Sequence, residues 1–346
     1  MSREWPAGII RKTPVTPTGP YQDGTAPGVW TLDQMTYWLK QSLWPIAGNV
    51  NPIGLFAGGN SGAASNVIDK INIATTGNAT DFGDLTLGRI SLTGASSSTR
   101  ATWAGGQNDS STKQSTIYYS TISTSGNTSS FGNLSVARQG LTGASNETRA
   151  VFGGGQNSTP AAVNVIDYIT IASTGNATDF GDLLAAYYYL GGCSSSTRAL
   201  FGGGYTGAAS TNVIQYITIN SAGNATDFGD LSVSPNTAGL NSSCSSSTRG
   251  LFASNNTGAS NTIQYVTIAS TGNSTDFGDL TVSREGVAGL ASTTRGVFGG
   301  GLDAGSSVTN VIDYVTIATT GNAVDFGDIT VSRGFLAACS NAHGGL

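Results

Sequence analysis

One histidine and three cysteines stand among the 346 residues of this chain, and only 10% of its residues are charged. A single imidazole, His343, weighs against zinc sites and against Ser–His–Asp catalysis. Cys193, Cys244 and Cys339 are too few, and odd in number, for a disulfide framework. Net charge is −5 with no basic run or stripe, so a nucleic-acid footprint is missing. No apolar run approaches the ~20 residues that span a bilayer. The opening MSREWPAGIIRKTP carries no apolar h-region of a secretory signal, which points to synthesis in a cytoplasm.

Abundance lies elsewhere, in 49 glycines and in a repeat. The stretch IDYITIASTGNATDFGDL, Ile166 to Leu183, occurs six times with small changes. Its central aromatic falls at Phe82, Phe131, Phe180, Phe228, Phe277 and Phe326, at intervals of 49, 49, 48, 49 and 49 residues. A fixed period of this size signals a solenoid, propeller or array. The unit that starts at Arg149 reads as four short strands. Ala150–Gly154 is apolar and ends in glycines, and Asn164–Ile171 alternates with β-branched residues. Ser173–Asn176 is a turn, Thr178–Leu183 is the next strand, and Ala185–Cys193 is a small-residue strand. Four strands per repeat define a propeller blade, and the missing helical period excludes helical solenoids. With strands named a to d from the axis outward, the chain begins on strand b, Gly54–Gly58, and ends on strand a, Gly334–Ser340. The expected fold is therefore an all-β, six-bladed propeller over 53–346, closed by pairing C-terminal strand a with N-terminal b, c and d. Closure of this kind joins the sheet edges.

Comparison among the copies separates framework from variation. The a–b and c–d turns are constant in length, whereas the b–c loops, such as Gln107–Gln114 and Leu302–Thr309, and the d–a loop at Pro235-Asn236 vary. In a four-stranded blade these two sets lie on opposite faces. Variable loops on a fixed scaffold are where binding tends to sit. The six phenylalanines are expected as repeat core. Arg100, Arg149, Arg198, Arg249 and Arg295 are expected as inter-blade partners for the carboxylates of the DFGD motif. That motif resembles the kinase metal-binding tripeptide, but it recurs without a phosphate loop or catalytic lysine and reads as a blade element. Ser130-Phe131-Gly132-Asn133 drops both charges, so no metal or cofactor is expected. His343 occupies the arginine register of the closing blade and is expected at the seam. No isolated acidic pair suggests a glycosidase, so the chain is expected not to be an enzyme.

Residues 1–52 are a different material, with Trp5, Trp30, Trp38 and Trp44 and most of the prolines. Prolines keep 1–28 extended. Thr31 with Gln34 reads as a capping box, followed by Leu32, Met35, Trp38, Leu39 and Leu43 at helical spacing, with Pro45 as the stop. An extended arm and one short α-helix are expected, docking through Trp5, Trp30, Trp38, Trp44, Leu32 and Met35 onto another protein or another copy.

Two resemblances accompany this reading. Phe152-Gly153-Gly154, Tyr168 and Phe180 resemble the kelch repeat, also found in galactose-oxidase-like propellers. Ser283–Ser292 resembles its innermost strand and Gly296–Gly300 its second. Phe replaces the usual Trp, and the fifth blade has Ala253-Ser254 in place of the glycine pair. The copper chemistry of galactose oxidase needs several His and Tyr ligands, which one histidine cannot supply. Ala7–Pro14, Pro27–Gln34 and Trp44-Pro45 resemble the N-termini of virion proteins of marine tailed bacteriophages, cyanophages in particular. That resemblance implies a virion structural protein made in a bacterial cytoplasm. Residues 1–52 would then join other virion proteins, in a homo-oligomer, and the propeller would be displayed as a tail-fibre-like, receptor-binding head. Its b–c loops would meet a host surface glycan or protein. The rival readings are a head or neck decoration protein and a cellular kelch-type scaffold.

Overall fold

The computed structural model describes residues 52–233, 242–253 and 260–346, together with two short strands near the start of the chain. The chain divides into two compact units, Met1–Asn51 and Pro52–Leu346. In the first, Arg3–Trp5 pairs antiparallel with Gly8–Ile10. The expected arm thus doubles back at its start. The expected helix and the docking residues Trp30, Leu32, Met35, Trp38 and Trp44 lie outside the described residues, as does the side chain of Trp5.

The second unit is a ring of six four-stranded antiparallel sheets. Blade three is representative, with strands a Thr142–Ser145, b Arg149–Gly153, c Val165–Thr170 and d Thr178–Asp182. Blade one is composite. Ala337–Ser340, at the end of the chain, pairs with Ile53–Ala57, which pairs in turn with Val67–Asn72 and then Thr80–Asp84. Strand a is four residues long in each blade, shorter than the expected Gly334–Ser340, Ala185–Cys193 and Ser283–Ser292. The residues before it form an irregular turn that leads in from strand d.

Why this sequence makes this ring is legible at the DFGD motif. The ladder between strands c and d shifts register at each copy, pairing Ile166 with Gly181 and Asp167 with Asp179. Phe180 is the extra residue of a bulge, which re-aims a side chain. The ring turns inward, 3% exposed, beside Ile217, Ile219 and Ala225 of the next blade. All six repeat phenylalanines are buried in this way. The core is therefore not under one sheet. It is divided into six clusters, one at each blade interface, each mixing residues of two adjacent blades. Burial of each ring is worth about 1.5–3 kcal/mol.

The outer edges are closed by the turns. The Gly of each Gly-Asn turn donates its N–H to the Phe carbonyl of the preceding blade, as Gly223 does to Phe180 at 2.8 Å. The next Asn accepts through Oδ1 from the second DFGD aspartate, as Asn224 does from the Asp182 N–H at 3.0 Å. The same contact crosses the closing interface, from Asp328 N–H to Asn78 Oδ1 at 3.1 Å. These bonds cover a strand edge that would otherwise be open to pairing. They also explain the motif's glycine: at Gly181, φ is +143°, and a Cβ would stand 2.5 Å from the Gly223 carbonyl oxygen.

Candidate functional site

The b–c and d–a connections share one face of the ring and converge on the axial channel. The b–c loops differ in length, but the backbone at their start is the same in each described blade. The d–a turn pairs with the start of the b–c loop through bridges that join Gly334 to Asn60, Ile90 to Gln107, Tyr188 to Tyr205 and Glu285 to Leu302, with Gln139 opposite Gln156. No two of these five pairs are alike in chemistry. One step further along, Ser91, Gly140, Tyr189, Gly286 and Phe335 occupy the left-handed region, with φ between 55° and 63°. A hydrogen-bond relay follows the rim, from Ser91 N–H to Phe335 O, Gly140 N–H to Ser91 O, Tyr189 N–H to Gly140 O and Phe335 N–H to Gly286 O. The scaffold is thus a six-fold frame, and what changes from blade to blade is the side chain presented at the mouth.

Aromatic rings dominate that mouth. Tyr188 packs edge-on against Tyr189 and Tyr205, with centroids 4.9 and 5.4 Å away. Tyr189 lies over Gly140, where a Cβ would meet its ring at 2.7 Å, and its hydroxyl hydrogen-bonds with Ser91. Burial raises the pKa of both Tyr188 and Tyr189, which keeps the phenols neutral. Phe335 lies over Gly286 in the same way, 2.9 Å from a Cβ there. Tyr189 enters blade four and Phe335 enters blade one, so the two face each other across the ring. A bulky residue in the left-handed region costs roughly 1–3 kcal/mol, and such strain clusters at ligand sites.

Buried arginines hold these loops in place. Arg138 leads into blade three and meets Asp167 of its strand c at 3.0 Å, with both side chains fully buried. Arg333 meets Asp69 at 2.9 Å, and Arg284 meets Asp313. Each guanidinium also donates to a strand-b carbonyl or a neighbour of one: Arg138 to Phe152 O at 3.0 Å, Arg333 to Phe56 O at 3.3 Å and Arg284 to Gly300 O at 2.7 Å. Burial lowers the pKa of all three arginines, while the aspartate beside each opposes the shift. Two described blades depart from this pair. Arg89 stacks at 4.7 Å on Tyr118, which stands in the Asp register of blade two. In blade four Tyr187 stands in the Arg register and Gln215 in the Asp register, where its Oε1 accepts from Leu184 N–H at 2.7 Å.

The opposite face is uniform. Arg100, Arg149, Arg198, Arg249 and Arg295 each lie over the Tyr of their own strand c, 4.3 to 4.7 Å from the ring. Each then donates to a carbonyl of the next blade: Ile171, Ile219, Ile268, Ile317 and Ile73 respectively, at 2.8 to 3.0 Å. They do bridge blades, but through carbonyls. Among the described residues the DFGD carboxylates form no ion pair. The expected pairing is corrected, because the bulge turns those aspartates along the outer edge while the arginine reaches inward over a tyrosine.

The expected register of His343 is also corrected. Asn341 Oδ1 accepts from Ile53 N–H at 2.7 Å, so Ile53 fills the arginine register of the closing blade. His343 instead leaves the blade for the channel, where its Nδ1 accepts from Gly345 N–H at 3.1 Å and its Nε2 lies 3.0 Å from Ser96 O. There Ser96, Ser145, Ser194, Ser245 and Ser340 form a belt, each hydroxyl donating to the carbonyl at the same register of the preceding blade. Ala291 breaks the belt, and the Ser245 carbonyl it would have engaged accepts from Gly344 N–H at 2.9 Å. The cysteines sit on the same inner strands, buried and free. Burial pushes the Cys193 and Cys339 thiols up to about 12, which leaves them unreactive. Among the described residues no three His, Cys, Asp or Glu side chains converge as a metal site would require.

Sequence reasoning placed the variable face but did not find Tyr188, Tyr189, Tyr205, Phe335 or the Arg–Asp bolts. Tyr187-Tyr188-Tyr189 was the available signal, a run that no other copy carries. No protein-family model matches the chain, and no curated protein matches it either. The fold and the site define a six-bladed β-propeller, an architecture consistent with a binding or scaffold role.

Proposed function

We propose that this protein is a non-enzymatic attachment component of a tailed-bacteriophage particle. Residues 1–52 join it to other virion proteins, and the propeller meets the host surface through its b–c and d–a loops. The observation that carries the reading is the contrast between the two faces. One repeats the same Arg–Tyr contact in five blades and the same Asn cap in all six. The other presents a different pair of residues in each described blade on one recurring backbone pairing. A surface that served only to stiffen the ring would have no physical reason to vary in this way. The likeness of the N-terminal segment to cyanophage virion proteins supports the placement on a particle, and its tryptophans supply apolar area for docking.

The test adds purified full-length protein to host cells before particles that carry it. Occupied receptors should slow adsorption in proportion to the protein added. Adsorption at the control rate, with protein that does not bind cells, would count against attachment and favour a head or neck decoration protein.

A further inference from the structure

The variable loops surround one opening, and its chemistry narrows the ligand. Below the rim, the loop-face end of the axial channel holds a small, solvent-open cavity of ≈ 60 Å³ between the inner strands. Four hydroxyl-bearing residues, Thr93, Thr142, Ser242 and Ser243, line it. Ser242 is 2% exposed and its Oγ has no hydrogen-bond partner. Gln139, on the rim beside Gly140, is 7% exposed, and its Oε1 also lacks a partner although its Nε2 donates to Gln156. Buried polar atoms without partners are uncommon, and each such atom costs about 1–3 kcal/mol. Here a donor-acceptor lines the channel and an acceptor sits on its rim, where Tyr189 and Phe335 are half-buried on a left-handed backbone.

Resting on the attachment reading, we infer that the channel mouth is a binding site for an uncharged hexose unit of a surface glycan, held by Tyr189 and Phe335. A pyranose ring has a C–H face that suits an aromatic surface and a rim of hydroxyls that both donate and accept. Tyr189 and Phe335 supply the first kind of contact from opposite blades. Gln139 Oε1 and Ser242 Oγ supply the second. Among the described residues the charges nearest the paired rim positions are of opposite sign, Glu285 and the Lys113 ammonium that donates to Gln107 Oε1 at 2.8 Å, so the mouth offers no cationic cluster for sialic acid, phosphate or sulfate groups.

The strained backbone provides a clean variant. Blades three and six carry glycine, Gly140 and Gly286, where blades four and one carry Tyr189 and Phe335. Tyr189→Gly with Phe335→Gly removes both rings and restores the residue that the left-handed conformation favours. Full-length protein, wild type and double variant, is presented to an array of neutral and anionic bacterial oligosaccharides, and the strongest neutral binder is titrated by calorimetry. We expect the wild type to bind neutral hexose-containing glycans in preference to anionic ones. The double variant should lose at least tenfold in affinity while melting no earlier than the wild type. Three results would overturn the proposal: no neutral glycan bound, a preference for anionic glycans that salt abolishes, or an affinity unchanged in the double variant. If the protein binds host cells and the double variant binds them equally well, the mouth is wrong and attachment stands. If neither protein binds cells or glycans, both readings fail. If cell binding is lost on protease treatment of the cells, the partner is a protein and the glycan assignment fails.

Discussion

Leu290, on the innermost strand of blade six, fills the place that a side chain at Gly54 of blade one would need. A Cβ at Gly54 would stand 2.7 Å from both Leu290 Cδ carbons. The same slot recurs around the ring. Cys193 meets Gly250 and Cys244 meets Gly296, with the sulfur 2.5 and 2.8 Å from where a Cβ would be. Where the inner residue is Ala95 or Ala144, the facing register holds Ala150 or Ala199. Volume is traded between neighbouring blades, so near-identical repeats are not interchangeable.

Gly54→Ala should therefore destabilise by about 1–3 kcal/mol through overpacking. Leu290→Ala alone should cost about 2–5 kcal/mol through a cavity. The double variant should cost less than the two together, with a coupling of roughly 0.5–3 kcal/mol in denaturant melts. Additive costs would mean that the two side chains do not share a slot.

The buried Arg138–Asp167 bolt makes a second case. Asp167→Ala leaves a buried guanidinium without its counter-charge and should cost about 3–5 kcal/mol. Replacing both residues with the blade-four pair, as Arg138→Tyr with Asp167→Gln, should recover most of that loss. Recovery no better than the single variant would show that the pair does not move as a unit between blades.

Ring closure rests on Ala337–Ser340 and on the bond from Ile53 N–H to Asn341 Oδ1 at 2.7 Å. Deleting residues 334–346 exposes an edge of Ile53–Ala57 and empties part of two interface clusters. Cooperative melting should be lost or its midpoint lowered by more than 10 °C, since about 1 kcal/mol shifts a protein of this size by only about 2–4 °C. A melting curve like that of the intact chain would contradict closure by this strand.

His343 gives a pH dependence. Burial lowers its pKa below the ordinary value, with the Ser96 carbonyl and the Glu147 charge opposing. Above about pH 6.5 the imidazole is neutral folded and unfolded, and stability does not depend on it. Below that, the unfolded chain takes up a proton that the folded chain resists, so stability falls as pH falls toward the lowered value. The loss is at most about 1.36 kcal/mol per unit, and less here because the ring is only half-buried. The stability difference between wild type and His343→Gln should shrink on going from pH 7 to pH 5. A difference constant over that range would place a charged imidazole in the folded channel.

Much of this architecture could be read from one copy of the repeat. β-branched alternation in NVIDYITI, the Gly-Asn turn and the count of six strands of each type determine blade, register and closure. Phe180 is buried as its spacing required, and Phe180→Ala should accordingly cost about 3–5 kcal/mol. What could not be read is which carboxylate an arginine meets. Spacing places Arg149 and Asp182 near the same interface, but a bulge rotates the aspartate outward while a tyrosine captures the guanidinium. Asp167, by contrast, sits mid-strand with no sequence mark that ties it to Arg138. The mouth was legible only as a variable region, because left-handed φ at Tyr189 and Phe335 leaves no trace in residue type.

The attachment proposal can be tested as an orientation: if residues 1–52 fix the protein to a particle, the face with variable loops should point outward. A cryo-electron microscopy map of intact particles tests it most directly. The account predicts six-bladed density at the host-facing end of the tail, joined to the particle through residues 1–52, with the Tyr189 and Phe335 mouth open to solvent. Rings lying with that mouth pressed against the shell would contradict it.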